Sequence, residues 1–297
     1  MLAPLVIGLE GLVLNQNDRK RLQSKAVGGV ILFTRNYESP LQLKALTAEI
    51  KNQNPNLTIM VDQEGGRVMR FREGFSDIPP AKHFGDLISQ DGLTVASLEA
   101  EKFGKLMAQE LLVCGVDCSL SPVVDLGINQ AIIGTRAFHQ DPELVEILAR
   151  SWIHGMHQAG MKSVLKHFPG HGSVSGDTHV SYLKDSRELS VIRETDLRPF
   201  VALRDVADAV MVNHVVYPRI DDLPASFSKV WIKKILREEL QFKGLIISDD
   251  LGMQAAKLFK SGEEPVRLAL EAGCDLVLLC NEFDVMDEVL SSKSFKF

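Results

Sequence analysis

The sequence has no apolar run long enough to span a bilayer and no excess of basic residues. Its 39 acidic residues outnumber its 33 basic ones, which gives a formal net charge of −6 at pH 7. A nucleic-acid-binding protein needs a basic face, and a membrane span needs about 20 consecutive apolar residues. We therefore expect neither a nucleic-acid partner nor a membrane partner.

Cysteine is scarce. The four cysteines are Cys114, Cys118, Cys274 and Cys280. They lie in or beside apolar segments, and their spacings match no zinc or disulfide framework. We expect reduced core residues, which indicates the cytoplasm. The apolar N-terminal stretch MLAPLVIGLEGLVLNQ lacks a basic start and is interrupted by Glu10, so we interpret it as a buried strand rather than a signal peptide.

Short apolar runs alternate with amphipathic stretches along the whole chain. The predicted strands cover 5–9, 29–33, 58–62, 117–123, 163–167, 209–214, 244–249 and 275–280. The predicted helices include 41–53, 97–115, 141–160, 196–206, 229–240 and 265–273. Continuous apolar strands that alternate with helices are typical of a parallel sheet buried on both faces. The pattern predicts an α/β fold, a (β/α)₈ barrel of TIM type in a single catalytic domain over 1–297, with an open doubly wound sheet as the alternative.

Polar residues follow most of the predicted strands. They are Asp62, Gln63, Glu64, Asp125, Lys166, His167, Asn213, His214, Ser248, Asp249, Asp250 and Asn281. In a closed barrel these residues meet at one rim, where the active sites of barrel enzymes lie. In an open sheet they would spread along one edge. The long connection 70–87 is predicted to be functional or disordered.

The stretch IISDDLGM (246–253) places two carboxylates at a strand end. A lone aspartate there usually caps the following turn, but an adjacent pair in a barrel favours a nucleophile or a metal ligand. Successive strand residues point to opposite faces. We therefore expect only one of Asp249 and Asp250 to line the site, and the apolar pattern does not say which.

Two other segments bring charged residues to the same rim. VDQEGGRVMRF (61–71) contains a Gly-Gly pair that permits a sharp turn, and it also contains Glu64 and Arg67. For these two residues a structural ion pair and a functional role stay equally open. IGTRAFHQDP (133–142) places Arg136 on a loop before a helix start, where a lone arginine is usually solvated.

The stretch LKHFPGHGSVSGDTHVSYL (165–183) is rich in histidine and glycine. As a metal site it would use His167, His171 and His179, with His214 joining, but the spacing matches no compact metal motif. As a phosphate loop it lacks the Gly-Lys-Ser/Thr ending of a P-loop.

A third interpretation of this stretch is an acid/base loop. Asp177 lies two residues before His179, so its carboxylate can orient the imidazole and stabilise the protonated form that a general acid needs. The glycines would let the loop open and close over a substrate. Together with Asp249, the pair would supply a nucleophile and a proton donor.

These motifs resemble glycoside hydrolase family 3, in particular its bacterial, single-domain β-N-acetylhexosaminidases of peptidoglycan recycling. The matching segments are VDQEGGRVMRF, IGTRAFHQDP, LKHFPGHGSVSGDTH, MVNHVVYP and ILREELQFKGLIISDDLGM. The resemblance implies that Asp249 is the nucleophile and that His179 is the acid/base, supported by Asp177. It also implies a set of residues that bind the terminal sugar: Asp62, Arg70, Arg136, Lys166 and His167.

The implied activity is that of a retaining exo-β-N-acetylglucosaminidase, which releases terminal GlcNAc from peptidoglycan fragments through a glycosyl-enzyme. We expect a cytoplasmic monomer that needs no metal and no organic cofactor. Thr135 departs from the family pattern, which commonly has an acidic residue there. The C-terminal stretch EFDVMDEVLSSKSFKF leaves little chain for a last helix.

Three alternatives stay open. The first is a metal-dependent barrel hydrolase that uses His167, His171, His179 and Asp249. The second is a β-glucosidase or β-xylosidase of the same family. The third is a barrel that binds sugar without turning it over.

Overall fold

The computed structural model describes residues 3–174, 183–252, 259 and 261–292. Within these residues, eight parallel strands form one sheet. The strands are β1 (Leu5–Gly8), β2 (Val27–Leu32), β3 (Thr58–Val61), β4 (Cys118–Ser119), β5 (Val164–Phe168), β6 (Ala209–Val212), β7 (Leu245–Asp250) and β8 (Leu276–Leu279). All the predicted strands are present, although β4 is much shorter than the apolar run that predicted it.

The sheet closes into a barrel. Its strand order is β4-β3-β2-β1-β8-β7-β6-β5, which leaves β4 and β5 at the two ends. Parallel bridges join these ends at Cys118 with Lys162 and at Val123 with Lys166. The amide of Val164 also donates to the Ser121 carbonyl at 2.8 Å. The predicted (β/α)₈ barrel is therefore confirmed, and the open sheet is wrong.

Helices surround the barrel. They are α1 (Gln16–Leu22), α2 (Pro40–Gln53), α3 (Ala81–Asp91), α4 (Leu93–Val113), α5 (Pro142–Ala159), α6 (Leu189–Glu194), α7 (Arg198–Leu203), α8 (Glu263–Ala272) and α9 (Phe283–Ser291). Residues Val230–Glu239 wind as a π-helix. The starts of α2 and α5 follow the expected chemistry, since Ser39 and Asp141 cap them and each has proline in its first turn.

Two expectations about helices were wrong. The connection 70–87 contains the start of α3 and is not a continuous loop. Within the C-terminal stretch, Phe283–Ser291 form α9, whose buried Met286 and Val289 pack into the core, so the chain does supply a last helix.

The core has an outer and an inner part. The outer part packs the helices against the barrel, and the inner part fills the barrel. The inner side chains include Val6, Met60, Met211, Leu278 and Cys280, and they form the floor beneath the rim. All the cysteines are free and buried, as expected.

No helix in the described part of the chain is both long enough and apolar enough to cross a bilayer.

Candidate active site

A cavity of about 310 Å³ lies at the carboxyl ends of the barrel strands. Its polar lining consists of Asp62, Arg70, Arg136, Lys166, His167, His171, Asp249 and Asp250. Its apolar lining consists of Ile31, Phe33, Leu120, Ile132, Ile133, Met211, Leu278 and Cys280. The structure thus brings Asp249 and every predicted sugar-binding residue to one cavity. Asp177 and His179 lie outside the described residues.

A hairpin after β3 positions the first pair of polar side chains. It consists of Gln63–Gly65 and Val68–Met69, and Gly65 and Gly66 turn it with φ of +105° and +55°. Only glycine adopts such angles without strain, and the sharp turn expected from the sequence is present. Arg70 returns towards Asp62, with its Nη2 at 3.4 Å from Asp62 Oδ2.

Lys166 is the centre of a buried charge network. Its side chain is 1 % exposed, and its Nζ lies 2.7 Å from Asp62 Oδ1 and 2.6 Å from Glu64 Oε1. Arg136 holds the other side of Glu64 in a bidentate pair, with both contacts at 2.8 Å. Glu64 therefore has a structural role in the site, one of the two roles the sequence left open. Arg67 is exposed and donates to the Ile132 carbonyl.

The network keeps its members charged. Burial favours protonation of Glu64, but Lys166 and Arg136 outweigh it and hold the pKa of Glu64 well below its usual range. For Asp62, too, burial is outweighed by Lys166, so its pKa is lowered. Burial alone would lower the pKa of Lys166, yet Asp62 and Glu64 raise it. Asp62 is therefore a carboxylate at neutral pH and has no proton to give.

A second carboxylate, Asp125, orients His167. Asp125 Oδ2 lies 2.6 Å from His167 Nδ1, and the carboxylate also accepts from the backbone amides of His167 and His171. His167 Nε2 lies 3.4 Å from Arg136 Nη2. Arginine only donates, so we assign Nε2 as the acceptor and Nδ1–H as the donor to Asp125. Both ring nitrogens of His167 are then engaged.

His171 also lines the cavity. Burial lowers its pKa, and its Nδ1 has no hydrogen-bond partner among the described residues. The sequence singled out His171 only as a possible metal ligand. Asp125 was noted at a strand end without a role, and its partnership with His167 depends on barrel closure, which no local pattern shows.

Both carboxylates of the SDD motif line the cavity, so the expectation that only one would do so was wrong. Ile247 pairs with Leu276 while Asp250 pairs with Leu278, so β7 has one more residue than β8 over this stretch. The same irregularity occurs in β5, where Lys166 pairs with Met211 and Phe168 with Val212. These breaks in the pleat explain why neighbouring residues share the cavity.

Asp249 and Asp250 differ in their surroundings. Asp250 Oδ1 accepts from the amides of Gly252 at 3.0 Å and Cys280 at 3.1 Å, and Oδ2 lies 3.4 Å from Asn281 Nδ2. Burial raises the pKa of Asp250. Among the described residues, the hydrogen bond to the Asp249 carboxylate comes from the Asp250 amide, at 2.8 Å. With respect to the described part of the chain, Asp249 therefore keeps more free acceptor capacity than Asp250.

The cavity wall also holds an aromatic ring that the sequence did not single out. Phe33 follows β2, and the guanidinium groups of Arg35 and Arg70 lie 4.6 Å and 5.7 Å from its ring centre. These distances are within the range of cation–π contacts. Within the described ranges, no group of three or more His, Cys, Asp or Glu side chains is arranged to hold a metal ion.

Together, the closed barrel and the polar cavity at its carboxyl rim define a (β/α)₈-barrel enzyme. The family model described as "Glycosyl hydrolase family 3 N terminal domain" matches residues 6–294. The chain belongs to glycosyl hydrolase family 3 and is a glycoside hydrolase, as the resemblance implied.

The chain is similar to curated and solved members of the family. A beta-hexosaminidase of Nitrosomonas eutropha is 47% identical over 300 residues, which cover 100% of this chain and 86% of the relative. NagZ from Neisseria gonorrhoeae in complex with N-trifluoroacetyl-D-glucosamine has a TM-score of 0.93 at 45% identity, covering 97% of this chain and 84% of that one. NagZ from the same organism in complex with zinc ion has a TM-score of 0.91 at 44% identity, with the same coverage.

Proposed function

We propose that this protein is a retaining exo-β-N-acetylglucosaminidase that removes terminal non-reducing GlcNAc from peptidoglycan fragments. The observation that carries the proposal is the cavity in which Asp249 meets the Lys166–Asp62–Glu64–Arg136 network and His167. Its volume of about 310 Å³ is at the low end for small-molecule sites, which suits one sugar ring. The beta-hexosaminidase relative and the glucosamine-derivative complex support this substrate class.

Asp249 is our candidate nucleophile. A nucleophilic carboxylate needs an oxygen that is free to attack the anomeric carbon and form a covalent glycosyl-enzyme. The hydrogen bonds that Asp250 receives occupy both of its oxygens, whereas Asp249 has the freer carboxylate as far as contacts with the described residues go. Asp62, Arg70, Arg136, Lys166 and His167 are our candidates for holding the hydroxyl groups of the terminal sugar.

None of the described cavity residues is well suited to act as the proton donor. Asp62 is ionised, Asp250 is held by backbone amides, and His167 has both ring nitrogens engaged. Burial lowers the pKa of His171, which disfavours the protonated form that a donor needs. This supports His179, oriented by Asp177, as the group that protonates the leaving oxygen and then takes a proton from water. The proton that His179 gives to the leaving group in the first step is recovered from water in the second.

We also propose that the 297 residues form a single catalytic domain that acts as a monomer in the cytoplasm without a metal or organic cofactor. Buried free thiols are consistent with a reducing compartment.

The test is turnover of nitrophenyl β-N-acetylglucosaminide and nitrophenyl β-glucoside, each with and without a chelator. We expect hydrolysis of the first substrate, much weaker hydrolysis of the second, and no loss with the chelator. Preference for the glucoside would favour the β-glucosidase alternative, and activity lost to the chelator but restored by zinc would favour the metal enzyme. If neither substrate is turned over, the result would favour the third alternative, a barrel that binds sugar without catalysis.

The role of His179 is tested by its dependence on the leaving group. A sugar alkoxide needs a proton to leave, and a nitrophenolate does not. His179→Ala should therefore lower kcat/KM for a GlcNAc disaccharide far more than for the nitrophenyl substrate, by a margin of roughly 10²–10⁴-fold. His171→Gln is the matched control, because it removes a cavity imidazole and should lower both values alike.

A further inference from the structure

Asp196 does not line the cavity, yet it contacts both flanks of the segment that carries Asp177 and His179. It lies just before α7 and is 1 % exposed. A buried carboxylate needs partners that offset its desolvation. The partners of Asp196 come from opposite ends of that segment.

The N-terminal flank reaches Asp196 through a hydroxyl group. Ser173 Oγ donates to Asp196 Oδ2 at 3.1 Å. The backbone of this flank also packs tightly on the carboxylate, since a Cβ added to Gly170 would lie 2.4 Å from Asp196 Cβ. Gly170 has φ of +134°, so this close approach requires glycine.

The C-terminal flank reaches the same oxygen through a cation. Arg187 Nη1 donates to Asp196 Oδ2 at 2.8 Å, while Arg187 Nη2 pairs with Asp185 Oδ2 at 2.5 Å. Asp185 is itself anchored, because its amide donates to the Val216 carbonyl beyond β6 at 2.9 Å. Arg187 therefore connects this flank to Asp196.

One carboxylate oxygen thus receives bonds from both flanks. Thr195 Oγ1 also lies 2.9 Å from Asp196 Oδ2. Asp196 Oδ1 is buried and has no hydrogen-bond partner among the described residues.

We propose that Asp196 is a positioning residue for the acid/base step: by joining Ser173 to Arg187, it sets the span between the flanks and so the placement of His179. The inference rests on the proposed role of His179. A group that only positions the donor affects the reaction where the proton is needed. Asp196 variants should therefore reproduce the leaving-group dependence of His179→Ala in weaker form.

The experiment measures kcat/KM for a GlcNAc disaccharide and for the nitrophenyl substrate in the full-length chain. Asp196→Asn keeps the shape and an acceptor for Ser173 but loses the charge that holds Arg187. We expect it to lower the disaccharide value about 10- to 100-fold more than the nitrophenyl value, since small misplacements of a reacting group have effects of that size. Asp196→Ala should show a larger difference than Asp196→Asn.

Two further variants separate positioning from stability. Ser173→Ala removes one contact without leaving a buried charge unpaired, so it tests the inference even where the Asp196 variants do not fold, and it should show the same dependence at smaller size. Asp18→Asn changes another fully buried aspartate, whose carboxylate partners Asn15, Arg21 and Glu10 do not line the cavity. It should lower thermal stability without any dependence on the leaving group.

The measurements separate a failure of this inference from a failure of the proposed function. If His179→Ala shows the dependence while Asp196→Asn and Ser173→Ala lower both values equally, the inference fails and the proposed function stands. If His179→Ala itself lowers both values equally, or the wild-type protein turns over neither substrate, both proposals fall together. A dependence in all three variants, with none in Asp18→Asn, supports the inference.

Discussion

Replacing Lys166 with methionine should destabilise the protein strongly, although methionine has a similar length. The ammonium group is 1 % exposed and lies 2.6–2.7 Å from two carboxylates. Removing one partner from a buried ion pair costs about 3–5 kcal/mol, because the remaining charge stays buried. At about 2–4 °C per kcal/mol, the melting temperature should fall by roughly 10 °C.

The loss of stability in Lys166→Met should depend on pH. In the wild-type protein the pKa values of Asp62 and Glu64 lie below those of the unfolded chain. Their stabilisation is therefore fully present above the unfolded pKa near 4 and is lost as the pH falls through the folded values. In Lys166→Met, Glu64 keeps Arg136, while Asp62 keeps the longer ion pair with Arg70 at 3.4 Å. Burial then favours protonated Asp62, so the variant loses less at pH 4.5 than at pH 7.

A matched pair at the other end of the barrel controls for the simple loss of a lysine. Lys162 Nζ lies 2.7 Å from Asp208 Oδ1, but its side chain is 75% exposed. Exposed pairs contribute about 0–1 kcal/mol, so Lys162→Met should change stability little. The double variant Asp62→Asn/Lys166→Met should recover part of the loss by removing the stranded charge. Chemical denaturation at pH 4.5 and pH 7 measures the free energy of unfolding of each variant. A loss below about 1 kcal/mol at pH 7, or one equal at both pH values, would refute the reasoning.

Three further predictions concern the reaction. Asp249→Asn should abolish turnover while leaving the melting temperature nearly unchanged, and Asp250→Asn should retain measurable turnover; the reverse pattern in steady-state assays would assign the nucleophile to Asp250. Arg136→Lys should raise KM for the nitrophenyl substrate, because one ammonium cannot replace the bidentate pair with Glu64, and an unchanged KM would remove Arg136 from sugar binding. Long glycan chains should yield single GlcNAc units by chromatography, and internal fragments would contradict exo action.

The barrel and the membership of its rim were predictable from the sequence because both follow from local patterns. Apolar runs located every strand, and polar residues at strand ends located Asp62, Lys166, His167 and Asp249. The short helix α1 was missed because it spans only seven residues, and α3 because it lies in a segment rich in proline and glycine.

The partners within the site were less predictable, since they depend on distant segments. Glu64 meets Arg136 only when the hairpin after β3 and the loop before α5 come together. Asp125 meets His167 only because the barrel closes between β4 and β5. The two aspartates share one cavity because hydrogen bonding with β8 shifts the register of β7, and the alternation rule assumes a strand without such a shift.

The register irregularities in β5 and β7 also limit how this site could be transplanted into a designed protein. An idealised barrel has regular strands, and a regular strand presents alternate residues to its interior. Copying Lys166-His167 and Asp249-Asp250 onto such strands would turn one member of each pair towards the surrounding helices. A designer would therefore need to build the two shifts into the backbone first and choose the side chains afterwards.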